Sequence, residues 1–196
     1  MMNGKGGEKM LYLSGIDYES LADGSGVRCV LFVSGCKHDC PGCHSPQTHN
    51  FENGEPVTPE LIRQINEEIM KRPFLSGITL SGGDPMYSAY EVCELLEQLE
   101  IPNDNVWIYT GFTLDEIYSN ANMMRLLIKC NVLVDGCFEQ DKRDVSLRFR
   151  GSTNQRIIDL KCDNCAHQNT EECPEYQPHE QWGKICYQFK YKDGDS

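Results

Sequence analysis

Three cysteines stand close together in Ser34-Gly35-Cys36-Lys37-His38-Asp39-Cys40-Pro41-Gly42-Cys43-His44, a C-x3-C-x2-C array. Thiolates at this spacing suit an iron–sulfur cube, because Fe–S clusters are normally held by Cys thiolates and a full set is four. A triplet leaves one iron of a [4Fe–4S] cluster open, and an open position on a metal is where chemistry happens. Zinc is the competing reading, although structural zinc sites favour C-x2-4-C pairs with a distant second pair. Three unrelated buried thiols are the third reading. The spacing by itself leaves all three standing.

A second constellation is Leu80-Ser81-Gly82-Gly83-Asp84-Pro85. Adjacent glycines let a backbone pass close to a ligand. The exposed carbonyls and the Asp84 carboxylate are acceptors suited to an ammonium group. The same residues also make an ordinary strand-to-helix turn, where Gly, Asp and Pro are common.

Further runs complete a pattern. Gly24-Ser25-Gly26-Val27-Arg28-Cys29-Val30-Leu31-Phe32-Val33-Ser34-Gly35-Cys36 leads into the triplet, and Cys43-His44-Ser45-Pro46-Gln47-Thr48 leaves it. Asn131-Val132-Leu133-Val134-Asp135-Gly136 and Arg150-Gly151-Ser152-Thr153-Asn154-Gln155 lie downstream. Together with the Gly-Gly-Asp-Pro turn, these runs resemble the activating proteins of anaerobic ribonucleotide reductase, over about residues 10–160. Those proteins are small members of the radical S-adenosylmethionine (SAM) superfamily. The triplet alone identifies only the superfamily; its combination with the other runs points to the family.

The resemblance implies a glycyl-radical-enzyme activating enzyme, a radical SAM oxidoreductase. Cys36, Cys40 and Cys43 would ligate a [4Fe–4S] cluster, and the open iron would take the amine and carboxylate of SAM. Gly42, Cys43, His44, Gly82, Gly83 and Asp84 are the expected SAM-binding residues. Reductive cleavage of SAM would give a 5′-deoxyadenosyl radical that takes a hydrogen atom from a glycine of the reductase large subunit. A small reduced flavin or iron–sulfur protein would donate the electron. Arg28, Tyr109, Asp135, Arg150 and Asn154 are further SAM or partner contacts, each with a plain structural alternative as a turn residue or surface ion pair.

Some positions depart from the family pattern. Gly24-Ser25-Gly26 stands where Gly-Pro-Gly is expected, and His49 where Trp is usual. Gly42 precedes the third cysteine as expected for this family, although many members of the wider superfamily carry an aromatic residue there. The rival functions are a formate-lyase-type activase, a deazaguanine-pathway radical SAM enzyme, and a non-catalytic zinc-binding interaction module.

The elements that must position these residues are legible in outline. Residues 26–34 read as a buried strand running into the cysteine loop. Thr58-Pro59 opens a helix reaching about Arg72, with Leu61, Ile62, Ile65 and Ile69 at helical spacing. Residues 77–80, 105–109, 132–134 and 156–160 read as strands. Helices are expected after Ser88, after Thr113 with Glu116 as a capping box, and over 123–129. Alternating strands and helices imply a mostly parallel sheet. A complete eight-unit barrel takes about 250 residues. Five or six strands therefore predict an α/β fold of the partial β/α-barrel, radical SAM type, open on one side for a macromolecular substrate. A doubly wound sheet would also place its sites at the carboxyl ends of the strands.

Residues 1–9 are Gly-rich, lack the apolar stretch of a signal peptide, and read as a flexible N-terminus before a 10–160 domain. Residues 161–196 read as a separate Cys-rich tail. There Cys162, Cys165, Cys173 and Cys186 suggest a second metal site for zinc or another cluster, with unligated thiols as the alternative. The net charge of −12 opposes nucleic-acid binding, which depends on Lys and Arg neutralising phosphates. No 18-residue apolar run predicts a membrane span. Eleven cysteines, an odd number, fit reduced thiols and metal ligands in a cytoplasmic protein better than a disulfide framework. Cys29, Cys93, Cys130 and Cys137 share no spacing and are expected in the core.

Overall fold

Apolar and β-branched runs make the central strands, one of which feeds the cysteine loop. The computed structural model describes residues 10–160. The expectations for 1–9 and for the tail, with Cys162, Cys165, Cys173 and Cys186, lie outside the described residues. The strands are β1 (Tyr12–Ser20), β2 (Arg28–Val33), β3 (Glu55–Pro56), β4 (Gly77–Gly82), β5 (Val106–Tyr109), β6 (Val132–Asp135) and β7 (Arg156–Asp159). They form one seven-stranded sheet in the order β3-β1-β2-β4-β5-β6-β7. β2, β4, β5 and β6 are parallel to one another. β1 runs antiparallel to β2 and β3, and β7 runs antiparallel to β6. The protein is therefore a mixed α/β fold with a parallel centre and antiparallel margins.

The sequence reading passed over β1 and β3. Alternation along β1 is blurred, because only Leu13 and Ser20 of its nine residues are buried. β3 is only two exposed residues long. β1 is set by antiparallel pairing with β2, the next strand, and β3 by pairing with β1 about forty positions away.

The helices are α1 (Pro59–Met70), α2 (Ala89–Leu96), α3 (Leu114–Tyr118) and α4 (Ala121–Leu127). α1 starts as expected: the Thr58 hydroxyl accepts from the Leu61 N–H at 3.3 Å and Pro59 occupies the first turn. The Thr113–Glu116 capping box forms at α3. α4 begins earlier than expected, because the Asn120 side chain accepts from the N–H groups of Asn122 and Met123. Ser88 precedes α2 but makes no side-chain cap bond. Asp84 instead caps the short 3-10 turn Pro85–Ser88 that leads into the helix.

Period-two alternation assigns the two sheet faces. Val106 and Ile108 join the large core, whereas Trp107 between them joins a small second cluster with Val132 and Val134. The buried apolar residues of all four helices, Ile65, Val92, Ile117 and Leu126 among them, fall in the large core. The described helices thus cover one face, and each fully buried aliphatic side chain there contributes about 1.5–3 kcal/mol.

Arg28, expected as a SAM or partner contact, is corrected by its position. It begins β2, at the end of the strand opposite the cysteine loop, and is fully buried. Its guanidinium donates to Thr79 Oγ1 at 2.7 Å, to the Ile78 carbonyl at 2.6 Å and to Asn105 Oδ1 at 3.0 Å. It also lies 5.3 Å from the Trp107 ring centre. Burial pulls its pKa down to about 10. Replacing it with Ala strands several buried acceptors and opens a cavity, so Arg28→Ala is expected to cost about 3 kcal/mol or more in denaturant titration. Arg28→Lys should recover little of this, because an ammonium lacks the planar fork. A loss below about 1 kcal/mol for both variants would show that the network contributes nothing special.

Candidate functional site

The parallel pairing of β2 with β4 ends at Val33 opposite Gly82, so the cysteine loop and the Gly-Gly turn leave the sheet side by side. Backbone bonds fix this exit. The Gly83 N–H donates to the Val33 carbonyl at 2.7 Å, and the Asp84 N–H to the Gly35 carbonyl at 2.9 Å. The Gly35 N–H reaches the Thr48 carbonyl at 2.7 Å and closes the base of the loop. Both glycines are required. Gly82 has φ +104°, in the region that disfavours side chains. A Cβ at Gly83 would lie 2.6 Å from the Gly35 carbonyl oxygen and 2.9 Å from that of Thr48.

Above this junction is a cavity of about 930 Å³, in the range of small-molecule sites. Cys36, Cys40 and Cys43 line it, with Gly42 and His44 beside them. Gly82, Gly83, Tyr109 and Arg150 contribute other parts of the wall. Residues separated by more than a hundred positions therefore share one cavity. The three thiols are free and partly exposed. Among the described residues, no three His, Cys, Asp or Glu side chains are grouped so as to hold one metal ion. A cube asks each thiolate to reach a different iron, so its three ligands need not converge on one point. Burial pushes the free Cys36 thiol up to about 11, so ligation there must displace a proton.

Asp84, expected as an acceptor for an ammonium group, does not line the cavity, and its carboxylate is engaged within the protein. It is 1% exposed. Its Oδ1 accepts from the Met86 N–H at 2.9 Å. Its Oδ2 accepts from Thr110 Oγ1 and the Gly111 N–H, each at 2.9 Å, and lies 2.7 Å from His38 Nε2. Four partners fill a carboxylate's acceptor sites. His38 is packed edge-on against Phe112 with ring centres 4.6 Å apart.

Asp135 is likewise committed within the protein. It is 1% exposed, pairs with Arg156, and accepts from the Leu114 N–H at the start of α3 at 2.9 Å. Asn154 lies at a separate cavity of about 390 Å³, where its side-chain N–H donates to the Cys137 carbonyl at 2.8 Å. Arg150 donates to the Gln155 carbonyl at 2.8 Å and stays at the main cavity wall. The Tyr109 hydroxyl is buried without a partner. Cys29, Cys93 and Cys130 are core thiols as expected, but Cys137 is not. It donates to the Gly111 carbonyl at 3.3 Å and lies beside Cys40. Its position after β6 was the available signal, since three other site segments also follow strands.

The close approach at Gly83 gives a direct test. Gly83→Ala forces the new methyl into the Gly35 and Thr48 carbonyls, a packing strain of about 1–3 kcal/mol. Amide hydrogen exchange should quicken over residues 35–48 while α1 and α2 stay protected. Unchanged exchange in the loop would show that the contact is not needed.

Comparison with known proteins agrees with this geometry. The family described as a 4Fe-4S single cluster domain matches residues 22–158. The anaerobic ribonucleoside-triphosphate reductase-activating protein of Escherichia coli K12 is 41% identical over 149 residues, covering 72% of this chain and 94% of that protein. Its namesake from Pasteurella multocida is 39% identical, with 70% and 90% covered. The one from Enterobacteria phage T4 is 33% identical, with 69% and 85% covered. By identity and coverage, the chain belongs to the family of anaerobic ribonucleoside-triphosphate reductase-activating proteins.

Proposed function

We propose that this chain is a radical SAM enzyme that activates an anaerobic ribonucleoside-triphosphate reductase. The observation that carries the reading is the convergence of three free cysteines and the Gly82-Gly83 backbone on one cavity. The residues fit the cofactors. Cys36, Cys40 and Cys43 supply three soft thiolates for a [4Fe–4S] cluster and leave one iron for SAM. Gly82 and Gly83 present backbone close enough for the methionyl end of SAM, and Gly42 and His44 flank the last cysteine where adenine would lie. Tyr109 and Arg150 complete the wall. When bound, the cluster and SAM supply the electron and the 5′-deoxyadenosyl radical that removes hydrogen from a glycine of the reductase.

The chain's own task is to orient these groups and keep water away. We read the sheet as a partial barrel: its described helices lie on one face, and the small Trp107 cluster lies on the other. The edge strands β3 and β7 do not pair with each other. At the rim, Leu147 lines the cavity and the neighbouring Val145 is 85% exposed. A protein loop seated there would bury this apolar edge and exclude solvent. The electron would come from a small reduced flavin or iron–sulfur protein. No described helix is long and apolar enough to cross a membrane, and we place the activity in the cytoplasm.

Cluster assignment is tested by single Ala variants of Cys36, Cys40 and Cys43. Each should lose most of its iron after anaerobic reconstitution and form no 5′-deoxyadenosine, while circular dichroism stays near wild type. Wild-type iron content and turnover in all three variants would sink the assignment, and a colourless zinc-loaded wild type would revive the interaction-module rival.

Substrate assignment is tested by mixing the anaerobic protein with its reductase, SAM and reductant. A doublet glycyl-radical signal should appear in electron paramagnetic resonance and vanish when the reductase glycine becomes alanine. Conversion of a pterin-like small molecule, with no reductase radical, would favour the deazaguanine-type rival.

A further inference from the structure

His38 sits between two proposed cluster ligands, and no function assigned so far uses it. Its ring is not free in the loop. Nε2 lies 2.7 Å from Asp84 Oδ2, with the two side chains 13% and 1% exposed. A carboxylate only accepts, so Nε2 carries the proton in this bond. The ring is wedged against Phe112 at 4.6 Å and Tyr87 at 5.2 Å between ring centres. Gly111 leaves it room, since a Cβ there would come within 2.5 Å of the imidazole.

The other end of the same residue faces the cluster. The His38 backbone lies two residues from Cys36, and its N–H favours the Cys36 thiolate. Asp84 in turn follows Gly82-Gly83 directly, and its Oδ2 also holds Thr110 and Gly111 at the end of β5. One carboxylate thus joins the cluster loop, the Gly-Gly turn and the β5 wall.

We propose that His38 and Asp84 form a strap that positions the cluster loop, holding the His38 N–H on the Cys36 sulfur and coupling the cluster to occupancy of the Gly82-Gly83 wall. His38 is a positioning residue: it acts through Cys36 and touches neither substrate nor SAM. The inference rests on the proposed cluster at Cys36, Cys40 and Cys43. Hydrogen bonds to cluster sulfurs are among the features that set the reduction potential, so the strap tunes how readily the cluster is reduced. Because the strap shares Asp84 with the glycine turn, cutting it also loosens the SAM wall.

Three variants separate this from a purely structural role. His38→Phe keeps the aromatic packing and removes the donor. Asp84→Asn keeps the shape and removes the charge. His38→Gln restores an N–H at the reach of Nε2. Each is reconstituted in the full chain, and iron content, reduction potential by spectroscopic titration and SAM dissociation constant are measured. The first two should show a potential shifted to more negative values and a SAM dissociation constant raised about tenfold, as for one lost charge-assisted hydrogen bond. His38→Gln should return both toward wild type. Loss of iron in His38→Phe with retention in His38→Gln also supports the strap. Wild-type potentials in both His38→Phe and Asp84→Asn would overturn it, as would equal iron loss in His38→Phe and His38→Gln. A wild-type protein that takes up no cluster refutes the underlying cluster assignment instead.

Discussion

The parallel register of β2 against β4 is the constraint on which the site depends. Six residue pairs run from Arg28 opposite Gly77 to Val33 opposite Gly82. Both strands therefore end at one level, and the two turns that carry the chemistry emerge as neighbours. A slip of one residue would turn Leu31 and Leu80 out of the core and bring Arg28 and Thr79 into it. The cost of such a slip is what specifies the register. Glycine at 83 then permits a backbone approach that any side chain would block. Geometry at the site is thus inherited from packing in the core.

Burial sorts the chain's polar groups into two ends. At the amino end of the central strands, Arg28 is fully buried against neutral acceptors and the Trp107 face. At the carboxyl end, thiols line an open cavity and a buried carboxylate ties the loops together. The same principle separates the cysteines. Cys29 and Cys93 are buried in the apolar core, out of reach of a metal or an oxidant. Cys36, Cys40 and Cys43 remain partly exposed, where a metal can reach them and displace their protons.

Much of the site was legible in the sequence. Cysteine spacing marked three candidate ligands, and glycine pairs marked where backbone must pass close. Helix starts at Thr58 and Thr113 were readable because capping is a local interaction within one turn. β1 was not readable because its own alternation is weak, and β3 because two exposed residues carry no pattern and pair with a strand about forty positions away. Arg28, Asp84 and Asp135 were expected at the ligand, and each is instead engaged with protein partners, for a common reason. A charged residue beside a motif looks like a ligand contact, and nothing local says which way its side chain turns.

The sequence by itself determined residue chemistry, local caps and the family, since each depends on residue type at short spacing. Tertiary structure alone decided partnership. It placed Asp84 against His38, 46 positions away, and Cys137 against Cys40. It also turned Arg28 into a structural residue at the far end of the sheet. Such contacts join segments whose separation along the chain carries no signal, and only the register and twist of the sheet bring them within bonding distance.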